Sequence, residues 1–304
     1  MIKGTEDKRY AFVNGIIRAK EARLLTKAHF DRLLAAPLTN FNTIISDSPY
    51  AGYEDTPDGL EVEENGLRKF FEKYCQTPEV RKFVELPEQI HNLKVKLKQG
   101  GEELLYPDVG TEVETLPEVV EEIERFTIEK DPFKLSTNLD KIVCKYIYEA
   151  AEFSPFFKNY FELYFDLENI RSFLRARQFE NAREIFNQVF IPYGSFDKKI
   201  FIDNMNLEID HLGKIFFTTP YASIIEKGSL YLEENHSFLR LERMCEEMRL
   251  NFLTQARRMT FGVEPLFGYY HFKNSEIKKL RQVYWGKLNE VPLDQLKESI
   301  PDVW

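Results

Sequence analysis

Three stretches of the chain share one pattern of apolar and polar positions: TPEVRKFVELPEQIHNLKVKLKQG at 77–100, SPFFKNYFELYFDLENIRSFLRAR at 154–177 and EPLFGYYHFKNSEIKKLRQVYWGK at 264–287. Each is led by a proline, Pro78, Pro155 or Pro265, and fourteen residues further on stand Asn92, Asn169 and Lys279. The flanks of that position match in type: Ile90, Leu167 and Ile277 before it, Leu93, Ile170 and Leu280 just after, then the cations Lys94, Arg171 and Arg281. Val80, Phe157 and Phe267 form one apolar column, Phe83, Tyr160 and Tyr270 a second, and Leu97, Leu174 and Tyr284 a third. Steps of three and four residues put these columns on one helical face. Thr77 and Ser154 stand where an N-cap is wanted, and a proline at the first helical position loses no hydrogen bond. Glu264 is a poorer cap, although its charge suits a helix N-terminus. Each stretch is predicted to form one helix of about 22–24 residues, roughly 35 Å long.

Weaker matches extend the pattern. FNTIISDSPYA at 41–51 resembles LGKIFFTTPYA at 212–222, and RAKEARLLTKAHFDRLL at 18–34 is loosely similar to RARQFENAREIFNQVF at 175–190. A spacing near one hundred residues is too long and too uneven for a short-period solenoid. Elsewhere helical periodicity recurs and β-branched alternation bounded by hairpin turns does not, so the expected class is all-α. Helices are expected at about 10–36, 64–75, 78–99, 116–127, 138–152, 155–190, 197–205, 207–217, 221–228, 229–258, 265–285 and 293–299. Breaks are expected at Pro37, from Ser48-Pro49 through Asp58-Gly59, from Gly100-Gly101 to Gly110, at Asp131-Pro132 and from Pro192 to Ser195. Pro87 falls inside the first repeated helix and predicts a kink or a break there.

Composition narrows the function classes. The 304 residues are 43% apolar and 30% charged with a net charge of −9, which disfavours nucleic acid, whose phosphates need a basic surface. The same charge weakly disfavours electrostatic docking on anionic lipid. Cys75, Cys144 and Cys245 are widely spaced and odd in number, reading as reduced thiols of a cytosolic protein. The opening MIKGTEDKRY offers no apolar signal stretch, and the charge-free run Ile215–Ile225 is about half of a membrane span.

No residue pattern points to a reaction. There is no phosphate-cradling glycine loop, and the five histidines lack zinc spacing. His211 with Asp203 and Asp210 reads as a solvated helix edge. Glu233-Glu234 and Glu246-Glu247, adjacent on a helix, point apart and read as surface charges, as does the acidic stretch 112–124. No cofactor and no metal are expected. Lys94, Arg171 and Arg281 do stand out, because helical projection sets each beside the apolar stripe, where an unpaired cation is costly. Either each finds a carboxylate within its own repeat, or the three offer charge around a shared opening to an acidic partner. With Lys98 and Arg175 they are the candidate partner-binding residues.

The C-terminal residues Glu264-Pro265-Leu266, Glu276-Ile277 with Leu280-Arg281, Gly286-Lys287-Leu288 and Pro292 resemble the end of the C subunit of the archaeal and bacterial V/A-type rotary ATPases. That component is related to the d subunit of eukaryotic V-type pumps. DLENIRSFLRAR at 166–177 is similar to the family's central signature, HNLKVKLK at 91–98 to its first-domain counterpart, and GIIRAKEARLL at 15–25 to its N-terminal part. Lys279 departs from an asparagine-like position, Pro87 interrupts the first long helix, and 101–116 has no counterpart in the family pattern. The resemblance implies three similar helical domains, at 1–105, 106–183 and 184–304, arranged as a funnel with approximate threefold symmetry. It implies a non-catalytic component of the central stalk, peripheral on the cytoplasmic face of the membrane. Its partners would be the D and F subunits of the central shaft and a membrane rotor ring of proteolipids, with no nucleic acid and no small-molecule substrate. An all-helical scaffold that docks partner helices is the alternative.

Overall fold

The computed structural model describes residues 2–46, 48–51 and 56–302, except for the side chain of Asp210. Helix is the regular secondary structure throughout the described residues, and the protein is all-α. The chain divides into two compact units, one formed by 1–75 with 208–304 and one by 76–207.

The first unit begins with α1 (Ala11–Glu21), α2 (Lys27–Ala35), the single turn α3 (Phe41–Ile44) and α4 (Thr56–Tyr74). The second unit holds α5 (Pro78–Leu97), α6 (Pro117–Glu129), α7 (Pro132–Ala151), α8 (Pro155–Ala176), α9 (Ala182–Val189) and α10 (Lys198–Asp203). The chain then completes the first unit with α11 (Ile209–Ile215), α12 (Ala222–Asn235), α13 (Leu239–Leu253), α14 (Glu264–Leu288) and α15 (Leu293–Glu298).

The three repeated stretches are the long helices α5, α8 and α14, each with its proline in the first two helical positions. Two of the three shared columns lie in the cores of their units: Val80, Phe157 and Phe267 are completely buried, and Phe83, Tyr160 and Tyr270 nearly so, whereas in the third column Leu174 is buried and Leu97 and Tyr284 are half-buried. Phe83 of α5 meets Phe157 and Phe161 of α8 at ring separations of 5.2 and 4.5 Å, while Phe173, Phe186 and Phe201 bring α8, α9 and α10 together. In the first unit Phe71 of α4 lies 4.9 Å from Tyr270, and Phe41 meets Tyr284 edge-on at 5.5 Å. Tilted and edge-on ring pairs such as these add to plain area burial.

Helix ends follow local chemistry. The Asp131 carboxylate accepts from the amides of Phe133 and Lys134 and starts α7 with Pro132 behind it. Lys130 and His236 adopt left-handed backbone and stop α6 and α12. Other ends are closed by distant cations. Arg177 donates to the carbonyls of Asn204, Met205 and Leu207 after α10, and Lys287 donates at 2.8 Å to those of Leu34 and Ala36 at the end of α2. These carbonyls have no intrahelical donor, so a cation there satisfies both the hydrogen bond and the helix dipole.

Several expected boundaries move. The predicted helix 10–36 is two, parted at 22–26, where Thr26 opens α2 in a capping box with His29. The predicted 155–190 also splits, parted at 177–181. The break expected to reach Gly59 is shorter, because α4 already starts at Thr56 with Pro57 in its first turn; Gly52 to Asp55 lie outside the described residues. Helix α5 runs through Pro87 without a break, since the proline ring sits on an exposed side and the packed face on either side of it continues. Glu264 is not a surface cap: Val263 holds that place, and the Glu264 carboxylate is fully buried, accepting from the Thr5 amide at 2.6 Å and its hydroxyl at 3.1 Å. No helix among the described residues is long and apolar enough to cross a membrane.

An interior proline forfeits one backbone bond and crowds the preceding turn. Because Pro87 is exposed, Pro87→Ala is expected to stabilise the protein by about 1–3 kcal/mol. Urea unfolding followed by circular dichroism checks this, and a lowered midpoint would show that the proline suits its site.

Candidate functional site

On the long helices, two positions do the same work in successive repeats. Fourteen residues after Pro78, Asn92 grips a single residue of the following connector: its amide donates to the Tyr106 carbonyl at 3.0 Å and its oxygen accepts the Tyr106 N–H at 2.9 Å. Asn169 grips Ile191 in the same two-pronged way, with both bonds at 2.8 Å. A carboxamide suits this task because it offers one donor and one acceptor side by side. In α14 the position is Lys279, and the grip becomes an ion pair with Glu246 of α13 at 2.9 Å.

Three residues earlier, eleven after each proline, the side-chain oxygens of Gln89, Asp166 and Glu276 also hold backbone. Gln89 accepts the Val113 amide at 3.0 Å and Asp166 the Ser195 amide at 2.8 Å, while Glu276 accepts the Leu25 amide. All three are buried, Asp166 and Glu276 completely. Asp166 takes the Ser195 hydroxyl as well, at 2.6 Å, and this approach needs glycine next door: a Cβ on Gly194 would lie 2.2 Å from the Asp166 carboxylate. Glu276 further accepts from the Tyr50 hydroxyl at 2.8 Å and from Lys273 at 2.9 Å, and the Lys273 ammonium lies 4.0 Å from the centre of the Tyr50 ring. Burial, with the Glu276 charge and hydrogen bond after it, pushes the Tyr50 phenol well above its ordinary pKa, so it stays a donor. The signal for this second position was a polar residue directly before the matched apolar column, on a face that should be buried.

Three of the five candidate cations are ion-paired inside their own units, but only Arg171 finds its carboxylate within the repeat bounds expected from the sequence. Lys94 pairs with Asp140 of α7, Arg171 with Glu168 one turn back at 2.5 Å, and Arg281 with Glu64 of α4 at 2.7 Å. Lys98 donates to the Ser136 hydroxyl, and Arg175 is exposed near the end of α8. Lys94, Lys98, Arg171 and Arg175 lie together in the second unit and Arg281 in the first.

Two expected surface charges prove structural. Glu246 and Glu247 do point apart, but Glu246 joins Lys279 and Ser275, while Glu247 joins Arg243, which also reaches Glu298. Burial raises the Glu246 carboxyl, but the Lys279 charge and the Ser275 and Lys279 hydrogen bonds outweigh it and hold the pKa below the usual value. The Arg240 hydrogen bond, opposed by burial and aided by Arg243, does the same for Glu298. In the acidic stretch Glu122 is buried, accepting from Arg125 at 2.6 Å and Asn138 at 3.0 Å. His211 lies 3.7 Å from Glu208 at a half-exposed helix edge, and the side chain of its expected neighbour Asp210 is outside the described residues. The three cysteines are buried thiols outside any disulfide.

Asn169→Ala leaves the half-buried amide and carbonyl of Ile191 without their side-chain partner, at about 1–2 kcal/mol each. A loss of about 2–4 kcal/mol is expected, with faster amide exchange concentrated at Ile191 and Ser195; exchange spread evenly over α8 would count against the grip. Glu246 and Glu298 hold protons less readily folded than unfolded. Stability should therefore be fully present above the unfolded value near 4.5 and be lost as pH falls through their lower folded values. Urea midpoints between pH 7 and pH 3 should fall less steeply for Glu246→Gln than for the parent chain.

The chain resembles known proteins over nearly its whole length. It is 22% identical to the C subunit of the V-type sodium ATPase of Enterococcus hirae, over 97% of this chain and 99% of that protein. It is 26% identical to the C subunit of the A-type ATP synthase of Thermococcus gammatolerans, over 90% of this chain and 84% of that one. Residues 13–299, which take in all three long helices and nearly every polar grip in them, match the family of the ATP synthase (C/AC39) subunit, and the chain belongs to that family.

Proposed function

We propose that this protein is a non-catalytic component of the central stalk of a V/A-type rotary ATPase. It would couple a rotating shaft, built from the D and F subunits, to the proteolipid rotor ring, from the cytoplasmic face of the membrane. The family match across 13–299 carries the proposal, and the two relatives are C subunits of a V-type sodium ATPase and of an A-type ATP synthase. The architecture supports it physically. A part that passes torque must resist deformation, and long helices with aromatic cores and buried polar locks are stiff because close-packed interiors have few alternative arrangements.

The three proposed repeats, 1–105, 106–183 and 184–304, each contain one of the matched helices α5, α8 and α14. Their approximate threefold relation is part of this proposal, and repeats that fail to superpose in a solved structure would remove it. The equivalent grips of Asn92 and Asn169, and of Gln89, Asp166 and Glu276, support common descent of the repeats.

The full chain should co-elute with a D–F shaft complex and with detergent-solubilised rotor rings, and should restore ATP-driven ion transport to vesicles reconstituted without it. A chain that binds neither, or that captures only non-rotary helical proteins, is the scaffold of the alternative reading. The cations Lys94, Lys98, Arg171, Arg175 and Arg281 are proposed to meet acidic segments of these partners. Lys98→Glu with Arg175→Glu, both at exposed positions, should weaken shaft binding about tenfold, or ~1.4 kcal/mol, with little change in melting temperature. Arg171→Glu should reduce coupling more than stability. Melting that collapses while the folded fraction couples normally would make Arg171 a purely structural ion-pair member.

A further inference from the structure

A cavity of about 430 Å³ lies within the second unit, between α5, α7 and α8 and beside Val189 and Ile191. Much of its lining is aliphatic, from Ile90, Val143, Ile147, Val189 and Ile191. Its charged lining residues are Lys94, Asp140, Lys141 and Glu168. Asp140 is taken by Lys94, and Glu168 by Arg171 at 2.5 Å. That leaves Lys141: among the described residues no carboxylate pairs with its ammonium. Burial, and after it the neighbouring cation Lys198, lower its pKa, so two unfavourable effects act on this charge with nothing opposing them.

We propose that this cavity binds an aliphatic monocarboxylate, with the hydrocarbon chain on the Ile90, Val143 and Ile147 surface and the carboxylate on Lys141. The match is one of charge, surface and size. A single uncompensated cation fits one anionic group rather than a polyphosphate, whose several charges need several donors. The aliphatic lining suits a hydrocarbon body, and His91, one of the two aromatic rings in the lining, already engages the Leu104 carbonyl at 2.8 Å. The volume is in the ordinary range for small-molecule sites, about 300–1,000 Å³. One wall is also preformed, because the peptide groups of Ile191 are held by Asn169, so little ordering is needed when a ligand enters. This inference is independent of the proposed rotary role, since it concerns one cavity of one unit.

The test is calorimetric titration of the full chain with decanoate below its micellar concentration, alongside decanol and acetate. Decanoate is expected to bind saturably at one site, decanol at least about tenfold more weakly, and acetate not measurably. Lys141→Met should reduce decanoate affinity about tenfold and leave decanol unchanged, while Lys141→Arg should retain decanoate. Thr137→Phe, at a half-buried lining position, should block both ligands. Equal binding of decanoate and decanol, no saturable decanoate binding, or decanoate affinity unmoved by Lys141→Met would overturn the proposal. So would a Thr137→Phe variant that melts like the parent chain and still binds decanoate.

Discussion

A peptide group carried out of water needs a partner, and in this protein the connecting segments are pulled close against the helices they follow. The N–H and C=O of Tyr106 and Ile191 would each lose water on the side turned to the helix. Asn92 and Asn169 answer both groups at once, while Gln89, Asp166 and Glu276 answer a further amide in each long helix's surroundings. Arg18, Arg177 and Lys287 do the converse for stray carbonyls. The aromatic packing beside these residues depends on them, because the connectors cannot lie against the helices until their backbone polarity is met. Removing one partner costs more than making the bond gained, so such contacts specify one arrangement sharply.

Charge is handled by the same logic. Cations beside a buried stripe are tolerable when a carboxylate is within reach, and Lys94, Arg171 and Arg281 each have one, drawn from α7, from the same helix and from α4. In α14 the Lys279–Glu246 pair stands where α5 and α8 have the asparagine grip. Within each unit the helices are joined by short directional contacts as well as by apolar packing. Lys141 is the exception, a half-buried charge on the wall of a cavity with no carboxylate to meet it among the described residues.

The long helices were legible because burial of one face imposes the helical period on about twenty residues, more than chance patterning sustains. Prolines at the start of α5, α8 and α14 marked their beginnings, and α5 shows why an interior proline misled: packing on the opposite face carries a helix across one missing bond. The splits at 22–26 and 177–181 were hidden, since the periodicity carries across them while the chain changes direction. Asn92 and Asn169 were visible as a repeated position, but their partners Tyr106 and Ile191 were not, because the connectors differ in length and share no motif. The burial of Glu264 was not legible, and Glu246 was misread as a surface charge, for a related reason. A carboxylate is placed outside by default, and only the arrival of Thr5 at one and Lys279 at the other makes burial tolerable.

The sequence alone determined the all-α class, the three long helices with their buried columns, and the resemblance to the C-subunit family that the match over 13–299 bears out. These are properties of local periodicity and residue identity, which the chain carries wherever it folds. Tertiary structure alone decided which polar side chain meets which distant peptide group, which carboxylate neutralises which cation, and that Lys141 borders a cavity with no carboxylate paired to it among the described residues. Hydrogen bonds and ion pairs act over only a few ångströms, so their partners exist only once segments remote in sequence have been brought into contact.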